Sequence, residues 1–308
     1  GRLYYFYPRT DDAYVRANTV GIAPHVSGPI VKLEVADNQY VKKGDPLFEV
    51  DPRPYKYALE KARADLGLTN LDIKALQDEI HAGAARQRKL EAAASYDSQY
   101  LKRILPLLPM HFVTANDVFN ARSRLAGAEA AVADARAQVS RARNRLGRLG
   151  DSNVRRMAAE ATAGNAALNL QYCDVRAPFD GYVTNLNIAA GQYANEGKDV
   201  LTLVDDRVWY VLANFRETFM PRIRPGMKAE VYLPSHPNIR FTGKVEGIGW
   251  GLFQPNGATV QGLPHIEPTL NWVRLAQRFP VRIILEDRDP GHPFRMGQTA
   301  VVTIDGKR

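Results

Sequence analysis

A segment of 29 residues occurs twice in this chain, and the repeat restricts the possible folds more than any other feature. Residues 23–51 and 177–205 share eleven identical positions when each copy carries one single-residue gap. Chance would give about two identities at ordinary composition. The identical pairs are Ala23/Ala177, Pro24/Pro178, Gly28/Gly181, Leu33/Leu186, Ala36/Ala189, Gln39/Gln192, Tyr40/Tyr193, Gly44/Gly197, Leu47/Leu201, Val50/Val204 and Asp51/Asp205. A segment this short cannot bury a core alone, so we expect the copies to pack together as one domain.

Each copy has the pattern of short strands joined by glycine turns. Apolar runs at 47–50 and 200–204 follow Gly44 and Gly197. Glycine suits turns that need a positive φ, and β-branched residues suit a half-buried sheet. The copies therefore predict the two halves of a small β-sandwich.

The 118 residues between the halves, 54–171, carry a seven-residue apolar repeat. On the outgoing arm the repeat occupies positions 59, 66, 73, 80, 87, 94 and 101 together with 62, 69, 76, 83, 90, 97 and 104. On the returning arm it occupies 118, 125, 132, 139 and 146 together with 121, 128, 135, 142 and 149. Such a repeat predicts a coiled-coil hairpin. A helix over 54–104 would be about 75 Å long at 1.5 Å per residue.

The apolar repeat loses its phase at the Gly, Asp, Ser and Asn residues of 147–153. We predict that one helix ends here and that a new one begins with an N-cap near Asp151 or Ser152. A local bend within one helix is the alternative. The repeat is expected to restart at Val154, Ala161 and Leu168.

The turn of the hairpin is predicted at 104–114. Pro106 and Pro109 stop the outgoing helix, and Thr114 is a suitable N-cap for the next one, with Asp117 three residues on. The turn is rich in large apolar residues, namely Ile104, Leu105, Leu107, Leu108, Met110 and Phe112. An exposed patch of this kind usually marks a binding site. The alternative is that these side chains pack on one another to close the hairpin.

The remainder of the chain, 206–308, has short strand-like runs separated by glycine- and proline-rich turns, which predict a β-barrel. Residues 10–18 are a possible additional strand of that barrel. Residues 249–272 read as a long loop.

The two halves resemble those of a biotinyl or lipoyl domain, and the whole chain resembles the membrane fusion proteins. These are periplasmic adaptors of the HlyD type, and the resemblance is greatest to the EmrA-like multidrug and aromatic-acid efflux adaptors. The motifs that carry it are TDDAYV at 10–15, VSG at 26–28, DNQ at 37–39, VKKG at 41–44, APFDGYV at 177–183, ANFRE at 213–217 and NWVRLAQRFPVR at 271–282.

The resemblance implies an elongated α+β fold, in which a split lipoyl-like β-sandwich carries an inserted coiled-coil hairpin and is followed by a β-barrel. The expected segments are an anchor-proximal segment 1–18, a sandwich of 19–53 plus 172–205, a hairpin 54–171 with its tip near 104–114, and a barrel 206–308. The implied function is that of a non-enzymatic adaptor in a tripartite efflux or secretion system.

Related adaptors that engage TolC-like channels carry a tip signature of Arg, three residues, Leu, six residues and Ser. Arg103, Leu107 and Thr114 match this spacing, with Thr in place of Ser. The resemblance thus implies that these three residues bind the outer-membrane channel. Pro106 and Pro109 depart from the pattern.

The resemblance also implies partners and a location. The partners would be an inner-membrane transporter of the major-facilitator or aromatic-acid exporter type, a TolC-like outer-membrane channel, and further copies of the chain in a trimer or hexamer. The location would be the periplasm, with an inner-membrane helix upstream of residue 1 as the anchor. A cleaved signal peptide is the alternative.

Other functional classes find little support in the residues. A lipoyl or biotinyl carrier subunit would need a lysine at the tip of the hairpin that joins the two halves, where this chain has the insertion, so no cofactor is expected. The histidines and the single cysteine show no metal-ligand spacing, and no catalytic group stands out. The net charge is +8, and seven arginines lie between 136 and 156 without aromatic residues to stack bases. A solvated coiled-coil flank explains them better than nucleic-acid binding. A coiled-coil scaffold remains a further alternative.

Overall fold

The computed structural model describes residues 7–150, 153–249, 277–286 and 288–305, and the chain divides into two compact units. The first comprises Gly1–Val50 and Asp174–Arg308, and the second is Asp51–Cys173. Apart from Gly249, the loop predicted at 249–272 lies outside the described residues.

The first unit contains the two repeat copies as one β-sandwich. Its strands are β1 (Arg9–Ile22), β2 (Gly28–Leu33), β3 (Tyr40–Val41), β4 (Pro46–Val50), β5 (Asp174–Arg176), β6 (Gly181–Thr184), β7 (Tyr193–Ala194) and β8 (Leu201–Arg216). One sheet has the order β5-β4-β2-β7, so it takes two strands from each side of the insertion. The other sheet contains β3, β6 and the beginning of β8. The prediction that the two copies form one domain is therefore confirmed.

The two copies are related by equivalent hydrogen bonds that each makes to the other. The bonds run from Ile30 N to Gln192 O and from Gly191 N to Ile30 O at 2.8 Å, and from Val183 N to Gln39 O at 2.9 Å and from Asn38 N to Val183 O at 2.7 Å. Asn38 and Gly191 occupy the same place in the two copies, and both have a positive φ (66° and 90°), which Asn and Gly adopt more readily than other residues. Each copy thus provides hydrogen-bond partners for backbone groups of the other copy.

Six of the described strands close into a barrel in the same unit. The later strands are β9 (Lys228–Tyr232), β10 (Arg240–Ile248), β11 (Arg278–Leu285) and β12 (Thr299–Asp305), and the closed order is β1-β12-β9-β10-β11-β8. Buried and exposed residues alternate along β9 and β10, as expected when one face of a strand lines a core. The buried residues include Phe215, Phe241 and Ile283. Because β1 and β8 belong to both the barrel and the sandwich, the two share continuous strands.

The second unit consists of three helices, α1 (Arg53–Ile104), α2 (Ala115–Leu146) and α3 (Val154–Tyr172). Every predicted position on the outgoing arm, and every one on the returning arm up to Leu146, is buried or half-buried. The predicted coiled-coil hairpin is confirmed. Ion pairs Arg136–Glu91 and Arg145–Glu79 flank the contact between α1 and α2, so part of the arginine-rich stretch pairs within the hairpin.

One side chain caps the junction between α2 and α3. The N-cap of α3 is Asn153, whose Oδ1 accepts from the backbone N–H groups of Arg155 and Arg156. Its Nδ2 donates to Leu146 O at 2.7 Å, so one side chain also satisfies the end of α2. The prediction of a helix end and a new N-cap near Asp151 or Ser152 is confirmed, with Asn153 as the capping residue. The alternative of a single bent helix is wrong, because α2 ends at Leu146.

The apolar face predicted for α3 is wrong as well. Val154, Ala161 and Leu168 are exposed, as is Leu149. The face that contacts α1 is instead made of small residues with one leucine, namely Ala163, Ala166, Ala167 and Leu170. Small side chains allow α3 to approach α1 closely, and the position of Asn153 determines which face of α3 points inward. The sequence pattern favoured the larger residues, which lie on the opposite side.

The candidate docking site at the hairpin tip

The hairpin tip is built by a short helical turn between two capped helix ends. After α1, residues Leu105–Leu107 form one turn of 3₁₀ helix. The Phe112 N–H donates to Leu107 O at 3.2 Å and closes the loop. His111, just before Phe112, has a φ of 67°, which reverses the direction of the chain.

Thr114 is the N-cap of α2, as the sequence predicted. Its Oγ1 accepts from the Asp117 N–H at 3.0 Å, and the Asp117 Oδ2 accepts from the Thr114 N–H at 2.9 Å. The two bonds form a reciprocal capping box. The Thr114 backbone and side-chain hydrogen bonds hold the pKa of the Asp117 carboxyl below its usual value. These reciprocal bonds therefore fix the start of α2.

The apolar residues of the tip divide between the two alternatives that the sequence left open. One group closes the hairpin: Ile104, Val118 and Ala121 are buried together, with Leu101, Leu105, Leu108 and Val113 packed against them. A second group points into solvent, with Met110 61% and Phe112 76% exposed. The tip thus has its own small core and an exposed apolar surface outside it.

The three signature residues all lie within this tip, in different environments. Arg103, in the last turn of α1, is exposed. Leu107 is half-buried in the 3₁₀ turn, and Thr114 is exposed at the start of α2. No contact joins the three residues directly among the interactions of the described tip, so any common role would have to come through a shared partner.

Sequence reasoning missed one member of the exposed surface. Phe119 is 67% exposed, although it follows the buried Val118 directly. The signal was available, because a residue next to a predicted contact position points away from the neighbouring helix. With Met110 and Phe112 it forms what we call the tip patch, an exposed set of three large apolar side chains.

The described residues show neither a carrier-lysine hairpin nor a metal-ligand cluster. β4 ends at Val50 and α1 begins at Arg53, so the hairpin that would present a carrier lysine is replaced by the start of a helix. Within the described ranges, no group of three or more His, Cys, Asp or Glu residues is arranged to hold a metal ion. No helix in that part of the chain is both long and apolar enough to cross a membrane.

The described residues thus form a β-sandwich interrupted in sequence by a coiled-coil hairpin, together with a six-stranded barrel. Two family models match the chain accordingly. Residues 18–206 match the barrel-sandwich hybrid domain of RND membrane fusion proteins, and residues 208–305 match the AAEA-like beta-barrel domain.

Individual relatives agree with the family models. The chain is 42% identical over 306 residues to multidrug resistance protein MdtN from Escherichia coli K12, covering 97% of this chain and 89% of that protein. MdtN from Shigella flexneri shows the same identity and coverage. Among solved structures, MacA from Actinobacillus actinomycetemcomitans has a TM-score of 0.55 at 20% identity, covering 97% of this chain and 78% of MacA. This last likeness concerns the fold alone.

The chain belongs to the RND and HlyD-type membrane fusion proteins, as the sequence motifs indicated. It is a non-enzymatic periplasmic adaptor of a tripartite efflux system. Membership of this family implies an inner-membrane transporter and an outer-membrane channel as partners.

Proposed function

We propose that this adaptor docks on a TolC-like outer-membrane channel through its hairpin tip, with Arg103, Leu107 and Thr114 as the contact residues. The observation that carries the proposal is the tip patch, three large apolar side chains that are exposed in the same hairpin tip as the three signature residues. Exposed apolar clusters of this kind mark protein contacts more often than not. Within the described tip, these three side chains are not part of the small core that closes the hairpin.

The three signature residues supply complementary chemistry around that patch. The guanidinium of Arg103 can donate two parallel hydrogen bonds to a carboxylate or to carbonyl groups of the channel. Leu107 offers a half-buried apolar side chain a few residues before Met110 and Phe112, and Thr114 offers a polar hydroxyl group. A central apolar contact with polar groups at its edge is the usual organisation of a protein interface.

We further propose that the inner-membrane partner is an exporter of the major-facilitator or aromatic-acid class, and that a membrane helix upstream of residue 1 anchors the adaptor. The relatives named multidrug resistance proteins support a drug-like cargo. The working adaptor is a homo-oligomer, a trimer or a hexamer, because lining a closed conduit requires cyclic assembly.

The docking proposal is tested by charge reversal at the tip. Arg103→Asp and Leu107→Asp should each abolish export and cross-linking to the channel, while far-UV circular dichroism and co-purification with the inner-membrane transporter stay at wild-type values. Arg63→Asp is the matched control, because Arg63 is exposed on the same helix about 60 Å from Arg103 at 1.5 Å per residue. It should export normally.

Two results would oppose the proposal. Normal export by Arg103→Asp at wild-type abundance would remove Arg103 from the docking surface. A large loss of thermal stability in Leu107→Asp would show that Leu107 mainly closes the hairpin, and Phe112→Asp, at the most exposed residue of the tip patch, would then decide whether the patch docks.

A further inference from the structure

The outer face of α3 carries large apolar side chains that no other described residue covers. Val154 is 69%, Met157 53% and Leu168 41% exposed, and the smaller Ala158 and Ala161 between them are exposed too. These five residues, the α3 stripe, lie on the side of α3 opposite the alanines that contact α1. The heptad that the sequence indicated at 154, 161 and 168 therefore exists, but it faces solvent.

A second stripe lies on the outer face of α1. Tyr57 is 66%, Leu68 59% and Leu71 64% exposed, and Ala64 and Ala75 on the same face are exposed as well. The spacing of these five residues, the α1 stripe, keeps them on one side of a helix. That side is opposite the buried positions of α1, such as Leu59 and Ile73.

The two stripes lie at the same level along the hairpin. Arg156 Nε donates to Asn70 Oδ1 at 3.1 Å, which places Leu68 and Leu71 level with Val154 and Met157. Ala166 packs with Leu59 and Ala62, which places Tyr57 level with Leu168. Because each stripe lies opposite the shared contact between α1 and α3, the stripes point in opposite directions.

Two oppositely charged residues extend the two stripes at their ends nearer the hairpin tip. Asp78 continues the α1 stripe two turns beyond Leu71, and Arg148 precedes the α3 stripe. The Glu79–Arg145 ion pair places these two residues at a common level. Both are exposed, and neither side chain has a hydrogen-bond or ion-pair partner among the described residues.

We propose that the α1 stripe of one copy packs against the α3 stripe of a second copy of this chain, with Asp78 paired to Arg148. The two surfaces are complementary, lie at one level and face opposite ways, so the contact between copies is head-to-tail. Repeating this contact by rotation about an axis parallel to the helices closes a ring of copies. A two-fold contact would place each stripe against itself and would leave Asp78 and Arg148 apart. The inference rests on the proposed function only for the existence of a homo-oligomer, and it adds which faces form it.

Disulfide trapping tests the pairing directly. The purified full chain carrying both Leu71→Cys and Val154→Cys should form a ladder of covalent multimers under mild oxidation. Each single variant should give no more multimers than the wild type, whose native Cys173 is buried. The control pair is Asp72→Cys with Glu160→Cys, two exposed positions off both stripes, and it should form no ladder.

Three outcomes overturn the inference. Efficient dimers of the Leu71→Cys single variant would indicate a two-fold contact. A ladder from the control pair would indicate random collision, and no ladder from the double variant would exclude the contact.

Charge reversal provides an independent test. Asp78→Arg should weaken self-association in sedimentation experiments by about fivefold, the scale of an exposed ion pair, and adding Arg148→Asp should restore it. Absence of restoration with both proteins folded would contradict the pairing. If these tests fail while the wild type still exports and cross-links to the channel, only the stripe contact is wrong. If the stripes assemble while Arg103→Asp exports normally, only tip docking is wrong.

Discussion

At the residue scale, the repeat is visible in side-chain hydrogen bonds as well as in identities. Asp205 Oδ1 accepts from Arg207 N at 3.0 Å and Nε at 2.9 Å, and its Oδ2 accepts from Nη2 at 2.7 Å. Asp51 makes the same bonds with Arg53 at the end of the first copy. The Asp-x-Arg motif thus ends each copy with the same clamp, although the chain continues into a helix after one and along a strand after the other.

The Asp205 clamp leads to a pH prediction. The Arg207 hydrogen bonds hold the pKa of Asp205 below its usual value of 3.8, so its stabilising contribution is present above that pH and is lost as pH falls through the lower folded-state pKa. Asp205→Asn should reduce the free energy of unfolding at neutral pH by about 1–2 kcal/mol, a modest value because Arg207 is largely exposed.

Urea unfolding at several pH values measures this difference. The gap between wild type and Asp205→Asn should close below about pH 4, and Asp206→Asn provides a neighbouring carboxylate as comparison. A gap that stays constant down to pH 2 would show that the ionised carboxylate does not act through Arg207.

At the element scale, the contact between α1 and α2 depends on matched side-chain sizes. Val139 is 5% exposed and lies against Gly83, where an added Cβ would approach the Val139 Cγ2 to 3.2 Å. The glycine in the outgoing helix therefore makes room for a β-branched residue of the returning helix. Glycine has a low intrinsic helix propensity. The space that Val139 needs explains why a glycine occupies position 83 of this helix.

This contact predicts opposite outcomes for two substitutions in neighbouring positions of α2. Val139→Asp should lower the free energy of unfolding of the hairpin by about 3–5 kcal/mol, because it buries a charge without a partner. Arg141→Asp, two residues away and exposed, should change it by less than about 1 kcal/mol. Far-UV circular dichroism during urea unfolding reports both values. Equal losses in the two variants would contradict the assignment of the contact face.

At the scale of the whole molecule, the helical unit is inserted within the sequence of the β-unit. Glu49 of β4 pairs with Asp174 of β5 across the point of insertion, so the two ends of the interruption are neighbouring residues of one antiparallel ladder. A tight turn can join such strands directly.

Removal of the helical unit tests this nesting. A chain in which an Asn-Gly turn joins Asp51 to Tyr172 should retain cooperative unfolding and a β-type circular dichroism spectrum, and should lose nearly all helical signal, because all three α-helices lie in residues 53–172. The sandwich strands on both sides of the cut should keep their amide protection in hydrogen exchange. An excised protein without cooperative unfolding would show that the β-unit requires the hairpin to fold.

The sequence by itself determined the features that depend on local periodicity. The repeat identified the two halves of the sandwich, the heptads identified the α1 and α2 contact up to Leu146, and Thr114 with Asp117 identified a helix start. The heptads and the helix start depend on residues close together along the chain, and the repeat depends only on the likeness of two distant segments. The tip signature came from family resemblance, and Arg103, Leu107 and Thr114 stay a prediction as docking residues.

The tertiary structure decided what depends on distant neighbours. The inward face of α3 is the alanine face because α1 is close to it, and Val154 and Leu168 face outward although their spacing is equally regular. The same holds at the tip, where Leu105 and Leu108 are covered by α2 while Met110 and Phe112 are not. Apolar character predicts that a side chain gains from burial, but only the packed structure decides which surfaces are available to bury it.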